Sequence, residues 1–261
     1  MSITKNIICM KWGTRYGPEF ANHLFHNVQQ NMQGTVGQDY RFVCITDDPT
    51  GLDSQMETKP LPPLNDDLPA HLQNKPWLKL LVWDNPLFDL TGDALFLDVD
   101  LLITGPLDDF FTYAPGKFCV IHNWTEPDKQ TGNTSVFRFP VGQFPEILHD
   151  FKADMQGIYE KYKIEQRYIS AILQPRDEQR FWPADWCLSF KEDILPPWPQ
   201  RLWRTPQLPS NARIVVFHGK PDPDEALRGE WPVKPGQGWK KIYKTLRPTT
   251  WIADYWGQAR T

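Results

Sequence analysis

The chain has 261 residues, with 28 Lys and Arg against 32 Asp and Glu and a formal net charge of −4 at neutral pH. That length suits one sizeable core, and the charge offers no electrostatic case for nucleic acid or an acidic surface as partner. No run of about 18 apolar residues occurs, which excludes a membrane-spanning helix while leaving peripheral membrane contact open.

In chain order, Asn6 to Met10 reads as a strand. Pro18 then opens a helix in the favoured first-turn position, with Phe20, Leu24 and Val28 along one face and Gly34 and Gly37 after it. Tyr40 to Thr46 is a second strand, ended by the turn-forming run Asp47-Asp48-Pro49-Thr50-Gly51. A proline-rich loop follows, and the next helix begins near Pro76 and carries Trp77, Leu78, Leu81 and Trp83 as far as Asn85-Pro86. The apolar run Ala94-Leu95-Phe96-Leu97 is the third strand. Lys117 to His122 and Asn133 to Phe139 read as two more, Gly142 to Tyr162 as one helix, and Glu165 to Leu173 as a shorter one. Pro175 to Pro209 is loop-like, and Ala212 to Phe217 is a last strand. The β-α-β-α-β order predicts an α/β fold with a central mixed, mostly parallel sheet flanked by helices. No linker interrupts it, so residues 1–261 are expected to form a single domain, with the Trp- and Pro-rich segment 222–261 packed on it.

The start, Met1-Ser2-Ile3-Thr4-Lys5-Asn6, lacks a signal peptide's long apolar region, so the cytoplasm is the expected compartment. Cys9, Cys44 and Cys119 lie in apolar strands, Cys187 follows Trp186, and no two make a C-x-x-C pair, so buried free thiols are expected. The sequons at Asn123 and Asn133 are read as chance.

The most informative junction is the third strand's passage into Asp98-Val99-Asp100. The period of two places both acids on one side of a strand's carboxyl end. Two carboxylates there repel unless a cation or a proton intervenes, and in open α/β sheets ligands bind beyond the carboxyl ends of strands. The plain alternative is a strand that stops at two solvated acids. His218 also ends an apolar strand, followed by Gly219 and Lys220. Two Asp and one His with open positions suit Mn²⁺ or Mg²⁺, with a diphosphate completing the shell.

Six segments now stand in order: Lys11-Trp12-Gly13-Thr14-Arg15-Tyr16-Gly17, Phe42 to Pro49, Trp77-Leu78-Lys79-Leu80, Phe96 to Asp100, Asn133-Thr134-Ser135-Val136 and Phe217-His218-Gly219-Lys220-Pro221. Together they resemble the small bacterial glycosyltransferases of GT-A fold related to glycosyltransferase family 8, over roughly residues 6 to 221. The resemblance implies a metal site at Asp98, Asp100 and His218. It implies donor contacts from Lys79, Asp98 and Asn133, and Lys220 near the diphosphate. Glu165 and Gln166 fall where such enzymes carry Asp-Gln beside the reacting sugar carbon; Glu165 departs from that pattern by one methylene. The implied activity is metal-dependent transfer of a sugar from a nucleotide-sugar donor, a UDP-sugar, to a glycan or other hydroxyl acceptor, with retention as in family 8. The Trp-rich tail (Trp231, Trp239, Trp251, Trp256) and the Pro197-Trp198-Pro199 loop are the expected acceptor side, most of those rings packing on the sheet. Two other readings stay open: a phosphatase of haloacid dehalogenase type with Asp98 as nucleophile, and a non-catalytic sugar-binding protein.

Overall fold

The computed structural model describes residues 4–73 and 75–256. The chain folds into two compact units, each gathered from three stretches. The first takes the chain up to Asn22, then Gln33–Val99 and Asp108–Trp182; the second takes His23–Met32, Asp100–Leu107 and the chain from Pro183 onward.

Ten strands are present among the described residues. They are β1 (Lys5–Lys11), β2 (Arg41–Thr46), β3 (Glu57–Pro60), β4 (Asp93–Leu97) and β5 (Leu101–Ile103). After these come β6 (Phe118–His122), β7 (Gly132–Pro140), β8 (Gln179–Phe181), β9 (Cys187–Ser189) and β10 (Ile214–Val216).

The first unit is built on a seven-stranded sheet of order β3-β2-β1-β4-β7-β6-β8. β1 runs parallel to both β2 and β4, whereas β7 is antiparallel to β4 and to β6. The sheet is therefore mixed, as its sequence pattern predicts. Strands covered on both faces read as continuous apolar runs, and Ile7–Cys9, Phe42–Ile45 and Ala94–Leu97 are fully buried. Strand order reverses between β1 and β4, the position at which such sheets open a ligand crevice beyond the carboxyl ends. Over one face lies an aromatic core: Trp83 meets Phe118, Phe137, Phe139 and Phe144, and Trp77 stacks on Phe151 at 4.9 Å.

The second unit holds a small sheet of order β5-β10-β9, with β10 antiparallel to β5 and parallel to β9. The four cysteines are free and buried. No helix among the described residues is long and apolar enough to cross a membrane.

Four expectations need correction. The segment Gly142 to Tyr162 is two helices, Glu146–Ala153 and Met155–Tyr162, because Asp154 leaves the helical conformation to cap the second with its carboxylate on the Gly157 amide at 2.9 Å. The segment from Pro175 to Pro209 contains β8 and β9, each only three residues between prolines and too short to show alternation. The helix from Pro76 is a 3₁₀ helix that ends at Trp83, before Asn85-Pro86, and is buried along its whole length after Pro76. Finally, β4 ends at Leu97, and Val99 and Asp100 form a turn that leads directly into β5, so the period-two alternation does not extend to Asp100.

One buried side chain shows how tightly the first unit closes its backbone. Arg138 on β7 is fully buried, and its guanidinium donates to the carbonyls of Phe110, Tyr113, Ala114 and Lys117 at 2.6–3.2 Å. A planar fork of donors closes a turn whose carbonyls face inward. Arg138→Met keeps the bulk but strands those carbonyls, and the expected cost is about 3 kcal/mol of folding stability. Urea and thermal unfolding measure it; the Tm should fall by roughly 6–12 °C.

Candidate functional site

In the first unit the site is organised by a buried ammonium. Lys79, on the 3₁₀ helix before β4, is only 7% exposed. Its Nζ lies 2.6 Å from Oδ1 and 2.8 Å from Oδ2 of Asp98, just past the end of β4. It also donates to the Thr134 carbonyl at 3.1 Å and sits 5.4 Å from the centre of the Phe96 ring. A charge taken out of water requires this degree of pairing.

Thr134 reaches Lys79 through a large bulge in β7. Val120 pairs with Phe137, but the next residue, Ile121, pairs with Asn133, which leaves Thr134, Ser135 and Val136 without partners on β6. Those residues turn to β4 instead, where Val136 pairs with Leu97 and the Asp98 amide donates to the Ser135 carbonyl at 2.9 Å. Bulges re-aim side chains in this way near active sites. The Thr134 hydroxyl consequently meets Glu165 Oε1 at 2.7 Å.

Glu165 is 4% exposed, so it is no solvated helix start. Beside it Gln166 presents a buried Oε1 with no hydrogen-bond partner. Asn133 uses its Oδ1 to accept the Ser135 amide at 3.0 Å, an Asx turn that holds the bulge. Lys79, Asp98 and Glu165 are thus brought into one network, with Asn133 and Gln166 each next in sequence to a member of it. Thr134, its centre, was missed as a functional residue because only the bulge brings it to the carboxylates. Asp47 and Asp48 cap turns, accepting the amides of Gly13 and Thr50.

The second unit carries the other candidates. Asp100 directly precedes β5. His218 follows β10, where its Nε2 lies 2.7 Å from Ser189 Oγ at the end of the neighbouring β9. That oxygen also accepts the Glu192 amide at 3.1 Å. The Lys191 ammonium donates to the His218 carbonyl. Burial, reinforced by the Lys191 charge, lowers His218 to about 4, so its imidazole is neutral at neutral pH. Ser189 and Lys191 were also missed by the sequence, since they lie in the stretch read as loop. Lys220 is engaged: its Nζ lies 2.6 Å from Asp222 Oδ2 and 2.5 Å from Glu225 Oε1. Burial opposes its charge, but those two carboxylates outweigh it and raise the Lys220 pKa.

Asp98 belongs to the first unit and Asp100 and His218 to the second. Among the described residues, no group of three His, Cys, Asp or Glu side chains stands assembled around a metal position. The donor set itself suits a hard divalent cation, because it offers carboxylate oxygens and a neutral imidazole.

No protein-family model matches the chain, and no curated protein does. Among solved structures it is similar to the galactosyltransferase LgtC in complex with donor and acceptor sugar analogues, with a TM-score of 0.61 at 12% identity, over 98% of this chain and 96% of that one. The glycosyltransferase GlyE of Streptococcus pneumoniae TIGR4 gives 0.56 at 11%, over 96% of this chain and 63% of that one. The bifunctional glycosyltransferase WbbM gives 0.56 at 10%, over 85% and 47%. The fold is therefore the GT-A-like α/β fold of these proteins, a central mixed sheet flanked by helices.

The ion pair yields a direct measurement. Lys79→Met strands the Asp98 carboxylate and is expected to cost about 3 kcal/mol. Asp98→Asn strands the ammonium in turn. The double variant should cost less than the sum of the two, by about 1–3 kcal/mol, in urea unfolding.

Proposed function

We propose that the chain is a glycosyltransferase that moves a sugar from a nucleoside-diphosphate sugar, a UDP-sugar, to an acceptor hydroxyl, with Mn²⁺ or Mg²⁺ as cofactor. The observation that carries this reading is the Lys79–Asp98 pair just beyond the carboxyl end of β4, where strand order reverses. The fold shared with glycosyltransferases over nearly the whole chain supports it, as does the sequence resemblance to relatives of family 8.

Each residue then has a role. Asp98, Asp100 and His218 would hold the cation, which when bound neutralises the charge gathering on the departing nucleoside diphosphate. Lys79 fixes the Asp98 carboxylate in place. Lys220 adds positive charge near the diphosphate, exchanging its contacts with Asp222 and Glu225 for phosphate oxygens. Gln166 Oε1, a buried acceptor without a partner, takes a donor-sugar hydroxyl. Asn133 contacts the same sugar. The Glu165 carboxylate, with one oxygen held by Thr134, stabilises the sugar carbon as it becomes cation-like. Its extra methylene relative to aspartate is accommodated by that hydrogen bond. An acceptor hydroxyl then attacks that carbon as its bond to phosphate breaks; the nucleoside diphosphate leaves with the bonding electron pair, and its freed phosphate oxygen takes up the acceptor's proton.

Donor hydrolysis with Mn²⁺ is the test. Asp100→Ala and His218→Ala should each lower release of nucleoside diphosphate on the order of a hundredfold or more. Wild-type turnover in both variants would remove the mechanism. Phosphate release from a phosphomonoester would favour the phosphatase, and tight nucleotide-sugar binding without turnover the binding protein.

A further inference from the structure

All six large hydrophobic side chains exposed among the described residues fall in two short segments of the second unit. Trp198, Leu202 and Trp203 lie in one; Trp239, Ile242 and Tyr243 lie in the other. Trp203, Trp239 and Ile242 are 59, 63 and 70% exposed. The tail's other rings behave differently, since Trp256 is buried and Trp251 donates to the Pro206 carbonyl at 3.0 Å. Single exposed hydrophobics are ordinary, but a gathered set marks an interaction surface.

The two segments are fastened together. Arg201 in the first reaches the Tyr243 carbonyl in the second at 3.5 Å. The Arg201 guanidinium and the Lys244 ammonium lie 5.7 and 5.6 Å from the ring of the same tryptophan, Trp231.

Charge is equally one-sided. Residues 195–212 and 231–253 contain seven Lys and Arg and no Asp or Glu, in a chain whose acids outnumber its cations 32 to 28. Three of these cations turn to neutral partners: Arg201 to the Pro196 carbonyl, Arg204 to the Gln200 amide oxygen, Lys240 to the Trp239 ring. Their positive charge is left for something outside the protein.

Three occupants suit an aromatic, basic surface, and the side chains separate them. A second copy of the chain would press like charges together. A nucleic acid rewards cations and stacking rings, but gives Leu202 and Ile242 nothing to bury against. A bilayer with anionic headgroups rewards all three kinds at once. Tryptophans favour its interface, aliphatic side chains enter the acyl boundary, and Lys and Arg meet lipid phosphates. We propose that Trp198, Leu202, Trp203, Trp239 and Ile242, with the surrounding Lys and Arg, form a docking surface for an anionic membrane. This goes beyond the transferase reading and does not depend on it.

Co-sedimentation of the full chain with vesicles tests it. The protein should bind vesicles of phosphatidylcholine mixed with phosphatidylglycerol, ignore pure phosphatidylcholine, and come off as salt rises. Trp239→Ser with Ile242→Ser should weaken binding roughly tenfold or more. Lys240→Glu with Lys241→Glu should weaken it by roughly fivefold or more per reversed charge. Trp203→Ser, in the other segment, gives an independent arm, and unchanged thermal midpoints establish that the variants are folded. The proposal is overturned if anionic vesicles do not bind the protein at low salt, or if the variants bind as wild type does. It is also overturned if the aromatic substitutions abolish self-association or oligonucleotide binding instead, because the occupant is then a second copy or a nucleic acid. The readout is binding, so a chain that proves inactive as a transferase leaves it standing.

Discussion

Lys79 carries a charge that the interior of a protein does not accept unless it is answered. Its helix is buried on every side after the first residue, so the ammonium is almost wholly withdrawn from water. It needs a carboxylate and a carbonyl within reach, and Asp98 and Thr134 supply them. That requirement fixes the rest: the end of β4, the course of the β7 bulge and, through the Thr134 hydroxyl, the first turn of the helix Glu165–Leu173. The segments that carry the first unit's part of the site are far apart in sequence and meet at a single cation.

How much of this was visible beforehand depends on the range of each signal. The strands of the main sheet were legible because burial on both faces leaves uninterrupted apolar runs. Asp98, Asp100 and His218 stood out because acids and an imidazole at strand ends contrast with the runs they interrupt. The break at Asp154 was not legible, because apolar spacing continues across it and only the cap geometry reveals the new start. Thr134 and Ser189 were beyond reach for another reason. A lone hydroxyl has no sequence signature, and it acquires a role only when a bulge or a neighbouring strand brings it to its partner.

Net charge is a similarly coarse signal. A total of −4 makes no case for an acidic partner, but the total is an average over regions of opposite character. Carboxylates accompany the cations elsewhere, as in the pairing of Arg41 with Glu57 and Asp89, or of Arg167 with Glu126. The stretches flanking Trp198 and Trp239 contain none, and there the field is locally positive whatever the sum.

The interleaving of the two units bears on how the protein comes into being. The segment His23–Met32 leaves the ribosome early but belongs with a unit whose main stretch starts only at Pro183. At roughly 5–20 residues per second, translation keeps it waiting on the order of ten seconds for its neighbours. Leu24, Phe25 and Val28, all buried in the finished molecule, must pass that interval on a nascent chain without their final shelter.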